Sequence, residues 1–87
     1  MSQPRTFIGY RRTPPNQNHR YNTPDAAQYE GVQFSDGTVV IRWRTSSVST
    51  SVWNCLDDFI AIHGHVGEYN TELHWNDGTV QLLDKTA

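Results

Sequence analysis

The chain has 87 residues, room for one domain, and only 36% of them are apolar, so material for a core is scarce. The net charge of −2 hides an asymmetry: Arg5, Arg11, Arg12 and Arg20 against Asp25 leave residues 1–27 at +3, and residues 28–87 stand at −5. The basic surplus usual in nucleic-acid modules is therefore missing from the body of the chain, and no apolar run reaches the length of a membrane span.

Cys55 is the one cysteine, which excludes an intramolecular disulfide and favours a reducing compartment. The N-terminus has no apolar stretch of the signal-peptide type. A cytoplasmic protein is the expectation.

Apolar side chains are few before residue 28. Phe7, Ile8 and Tyr10 form one small cluster, and residues 11–25 hold Pro14, Pro15, Pro24, Asn16, Asn18 and Asn22. Pro-Pro blocks helix and prefers extended backbone. Residues 1–28 are expected to be a flexible basic arm. Its Phe7-to-Tyr10 cluster either docks on the domain as an extra strand or waits for a partner. Residues 29–87 then form the folded domain.

Phe34-Ser35-Asp36-Gly37-Thr38-Val39 and Trp75-Asn76-Asp77-Gly78-Thr79-Val80 echo one another. Asp-Gly between strand-like runs is a strong hairpin signal, because glycine takes positive φ without steric cost. Strands are expected at 29–34 and 38–45. Val39, Ile41 and Trp43 share one face of the second strand, and Thr38, Val40, Arg42 and Arg44 the other. The Ser/Thr stretch 45–51 should end the sheet and cap a helix.

That helix is expected over 52–63. Val52, Leu56, Phe59, Ile60 and His63 fall on one stripe, Trp53 borders it, and Gly64 sits where a left-handed C-terminal residue is wanted. A second hairpin follows at 71–76 and 79–84. The fold class is α+β: a single small β-β-α-β-β domain, one helix packed on an antiparallel sheet. Its expected core is Val32, Phe34, Val39, Ile41, Trp43, Leu56, Phe59, Ile60, Leu73, Trp75, Val80 and Leu82.

Catalytic signatures are sparse. Imidazole and thiolate are zinc ligands, so His63 and His65 with Cys55, His74 or Glu68 are worth weighing. Their spacing matches no standard finger, and the ordinary reading places His63 at the helix C-terminus and His65 in a turn. No metal and no cofactor is expected. Asp57 and Asp58 are adjacent on a helix, so they diverge by about 100° and read as a solvated acidic face. There is no Gly-rich phosphate loop. The chain does not read as an enzyme.

Two binding surfaces remain. The first is acidic and aromatic: Trp53, Asp57 and Asp58 with the loop that carries His63, His65 and Tyr69. It suits a protein partner, with the carboxylates speeding encounter and an aromatic ring as the anchor. The second is basic: Arg11, Arg12 and Arg20 on the arm with Arg42 and Arg44 on the sheet, for nucleic acid. The ordinary alternative for Arg42 and Arg44 is pairing with Glu30 or Glu72 across the sheet.

The run Tyr29 to Val39, Arg42-Trp43, Ser47 to Trp53, Leu56-Asp57-Asp58 and Ile62-His63-Gly64-His65 resembles a family of small uncharacterised proteins encoded by actinobacteria and their phages. The resemblance covers about residues 29–76. It implies a phage or prophage accessory protein, working in the host cytoplasm, and no residue inherits a role from it. The leading expectation is a non-catalytic protein that acts by binding a host protein, with inhibition as one outcome open to it. The alternative is a nucleic-acid-associated module. Self-association would supply extra burial to a domain this small.

Overall fold

Two Asp-Gly turns set the sheet. In the computed structural model, which describes residues 3–13 and 22–83, Gly37 and Gly78 hold φ of +96° and +93°. Each aspartate closes its own turn: Asp36 Oδ1 accepts the Thr38 N–H and Asp77 Oδ1 accepts the Thr79 N–H, both at 2.9 Å.

The elements run β1 (Arg5–Arg11), β2 (Tyr29–Gln33), β3 (Val39–Trp43), β4 (Ser49–Trp53), α1 (Leu56–His63), β5 (Thr71–Trp75) and β6 (Val80–Leu83). They build a six-stranded sheet in the order β4-β3-β2-β1-β5-β6, antiparallel throughout. The α+β class with one helix on an antiparallel sheet holds. The β-β-α-β-β order gains two strands that the sequence reading did not assign.

One comes from the expected arm. Residues 5–11 are β1, between β2 and β5 in the middle of the sheet. Of the two roles open to Phe7, Ile8 and Tyr10, the structure takes docking as a strand. Residues 14–21 lie outside the described residues. The other is β4, in the Ser/Thr segment expected to end the sheet. Pairing with β3 sets Trp53 opposite Val39 and Ser51 opposite Ile41, which brings the indole over the core. The helix therefore starts at Leu56, with Cys55 as its N-cap and no side-chain cap bond. Val52 and Trp53 belong to the strand.

Alternation divides the sheet into a covered and an open face. The covered face carries Phe7, Tyr29, Val39, Ile41, Leu73, Trp75 and Leu83, all buried, and Phe59 of α1 closes over them. Trp43, Trp53, Leu56, Ile60 and Val66 pack around this core. Two cross-strand pairs explain two glycines. Phe7 stands opposite Gly31 and Tyr29 opposite Gly9, and each ring lies where the glycine's Cβ would be.

Four expected core residues face the other way. Phe34, 45% exposed, has left β2, and Val32 shares the open face with Glu30. Val80 and Leu82 are exposed on the open face, and Leu83 takes the core place instead. Shifting a strand by one residue exchanges its faces, and β6 has apolar residues at both phases. Gly64 was expected in the left-handed region, but its φ is −72° and the positive φ passes to His65 at +46°. Glycine is still required there, since a Cβ would sit 2.5 Å from the Ile60 carbonyl oxygen.

Candidate partner-binding groove

The sheet ends at β4, which among the described residues pairs only with β3. Beside this strand runs α1. Asp58, Ala61 and Ile62 are at i, i+3 and i+4, so they form one stripe of the helix, away from buried Phe59. With Val52, Trp53 and Asn54 they line a groove of about 370 Å³. Its rim is apolar and open: Val52 is 68% and Ile62 61% exposed. Asp57 and Asp58 are exposed in the first turn of α1, and among the described residues neither makes an ion pair.

Trp53 is the hinge between groove and core. Its indole N–H donates to Ser51 Oγ at 3.0 Å, and its ring meets Phe59 at 5.8 Å and His63 at 5.5 Å. One edge lines the groove while the rest is packed. His63 also meets the Trp43 ring at 5.0 Å. Burial pulls the His63 imidazole below its ordinary value, and the charges of Arg11 and His65 add to that. Arg11, itself buried, donates from Nη2 to the His63 carbonyl at 2.9 Å and lies over the rings of Trp43 and Tyr69.

The six residues expected to form one acidic and aromatic patch thus fall into two groups. Trp53 and Asp58 share the groove, with Asp57 on the same first turn and His63 beneath Trp53. His65 and Tyr69 form a separate corner, their rings 4.5 Å apart, with His65 Nδ1 3.0 Å from Glu68 Oε1. Among the described residues no three His, Cys, Asp or Glu side chains converge on a metal position.

The basic set does not come together. Arg11 lies on the covered face, whereas Arg42 lies on the open face, where it donates to Thr50 Oγ1. Arg44 pairs with Glu30 at 3.2 Å, the ordinary cross-strand role foreseen for it. Arg12 pairs with Glu72 at 3.0 Å, and His74 Nε2 shares the same carboxylate at 2.9 Å. Those contacts hold the Glu72 carboxyl below its usual range, the His74 bond contributing most. Arg20 lies outside the described residues.

Ala61 and Ile62 went unnoticed in the sequence because the helix was read for its buried stripe. The Asp58-Ala61-Ile62 spacing was the available signal. Val52 was missed for another reason: assigned to the helix, it had no sheet edge to line. No described helix is long and apolar enough to cross a membrane. The model of a family described as Acb5 phage protein matches residues 29–80, which span β2 to the start of β6 and the whole groove. No curated protein and no solved structure matches the chain.

Proposed function

The chain belongs to the Acb5 phage protein family, and from that premise we propose that it acts in the infected host by binding, and thereby inhibiting, a host protein. The observation that carries this reading is the groove at the β4 edge. It combines exposed Val52 and Ile62, the packed indole of Trp53 and the Asp58 carboxylate, which makes no ion pair among the described residues. Apolar surface supplies affinity, and an aromatic anchor fixed by its neighbours loses little entropy on binding. The exposed aspartates would speed encounter with a basic surface. The nucleic-acid alternative is weaker, since Arg11, Arg42 and Arg44 are spread over two faces and engaged with the protein's own groups.

The test is affinity capture from lysate of the phage's host, with and without nuclease, followed by identification and purification of the captured protein. Trp53 packs on Phe59, so Trp53→Ala is a poor probe. Asp58→Lys/Ile62→Ser alters only exposed groups and should keep a cooperative melt, lowered by a few degrees because Asp58 also suits the N-terminus of α1. The purified partner should bind the native chain and lose at least tenfold in affinity for this variant, about 1.4 kcal/mol or more. Capture that vanishes with nuclease, or binding untouched by the variant, would move the nucleic-acid reading forward.

A further inference from the structure

We infer that the groove receives its partner as an extended strand added to the edge of β4 that pairs with no strand among the described residues, and that this strand carries basic and apolar residues alternately placed on one face. The inference rests on the reading of the groove as the partner site.

An edge strand directs the N–H and C=O of every second residue away from its sheet. Proteins usually blunt such edges with lysine, proline or a covering element. β4 reads Ser-Thr-Ser-Val-Trp and contains none of these residues. Its β-branched Thr50 and Val52 suit an extended pairing partner. Alongside the last two residues of β4, Val52 and Trp53, lies the groove, walled on the covered side by Asp58, Ala61 and Ile62.

An added strand would fill that space. Its residues at i and i+2 point to one face, and here that face meets the wall of α1. The wall offers carboxylate at Asp58 and hydrocarbon at Ala61 and Ile62, one turn apart. A basic side chain and an aliphatic one, two residues apart, are the complement. A second copy of this chain is a poor occupant. It would bring another Asp58 to the same groove, and its β4 contains no lysine or arginine to meet either one.

The probe is the blocked peptide Thr-Lys-Thr-Ile-Thr-Lys-Thr, which presents lysine to Asp58 in either strand direction. Binding is followed by amide hydrogen exchange on β4 and by the Trp53 indole resonance. The peptide should slow exchange at alternate residues of 49–53 and shift that resonance. Replacing both lysines with glutamate should abolish the effect. Two N-methylated versions, one blocked at the threonines and one at the other positions, should differ, and only one should bind. Asp58→Asn should weaken binding about fivefold, the scale of one exposed charge pair.

The inference falls if the peptide gives no protection, if the glutamate version binds equally, or if both N-methylated versions bind. It also falls if sedimentation shows the free chain as a dimer with β4 amides already protected. If the peptide fails while the purified host partner still discriminates Asp58→Lys/Ile62→Ser, the strand mode is wrong and the groove reading survives.

Discussion

The Tyr29 hydroxyl is buried and has no hydrogen-bond partner among the described residues. Leaving such a group unpaired costs about 1–3 kcal/mol of desolvation. Its ring is needed, since it packs on Trp43 and Phe59 and covers Gly9. Tyr29→Phe keeps the ring and removes the orphan, so thermal melts should show equal or higher stability, by about 1 kcal/mol. Burial also pushes the Tyr29 phenol up to about 12 from 10.0. The native state therefore resists losing that proton, and stability should decline as pH rises from 10 towards 12; Tyr29→Phe should flatten the decline. His63 works at the opposite end. Its folded value lies below its ordinary one because the ring is half-buried and near the charges of Arg11 and His65, so the unfolded chain binds the proton more readily. Stability should be complete above about pH 6.5 and fall as pH drops below it. The carboxylates held low, Asp36, Glu72 and Asp77, act only below about pH 4.5. Denaturant melts between pH 7 and 5 should show the slope in the native chain and a weaker one in His63→Gln.

At the scale of elements, what could be read from the sequence was whatever local chemistry determines. Asp36-Gly37 and Asp77-Gly78 announce their hairpins because positive φ at glycine has few competing uses. Gly78→Ala should cost about 1–2 kcal/mol by equilibrium unfolding, since no L side chain is comfortable at φ +93° and nothing lies within 4 Å to clash. The Leu56-Phe59-Ile60-His63 stripe was likewise legible from its spacing. Phe59→Ala should cost about 3–5 kcal/mol, because that ring meets Tyr29, Trp43 and Trp53 together. β4 was not legible. Its two serines and one threonine resemble a helix cap, and only pairing with β3 makes them a strand. The candidate site inherited this gap: Trp53, Asp57 and Asp58 were singled out, but a groove beside an edge needs the edge to be known. β6 was read in the wrong phase, since Val80, Leu82 and Leu83 leave both faces apolar and only the long-range register decides.

At the scale of the whole molecule, the charge asymmetry resolves into an internal match. Arg5 pairs with Asp77 at 3.1 Å and Arg12 with Glu72 at 3.0 Å, so the basic N-terminal segment folds onto the acidic body. Exposed pairs of this kind contribute about 1 kcal/mol each at most, too little to hold a segment in place. What holds it is the ladder. β1 joins β2 through the 5–9 and 29–33 register and β5 through the 7–11 and 71–75 register. Phe7 enters the core against Trp75 with ring centres 4.8 Å apart. Remove β1 and the sheet splits into a β4-β3-β2 half and a β5-β6 hairpin with nothing between them. A two-stranded hairpin is at best marginal in water. Deleting residues 1–13 should therefore abolish the cooperative melt and collapse the dispersed amide resonances, rather than trim an accessory tail. Arg5→Ala/Arg12→Ala should melt within a few degrees of the native chain, since it removes the ion pairs and leaves the ladder. A truncated chain that kept its native spectrum would show that β2 and β5 can close on each other without β1.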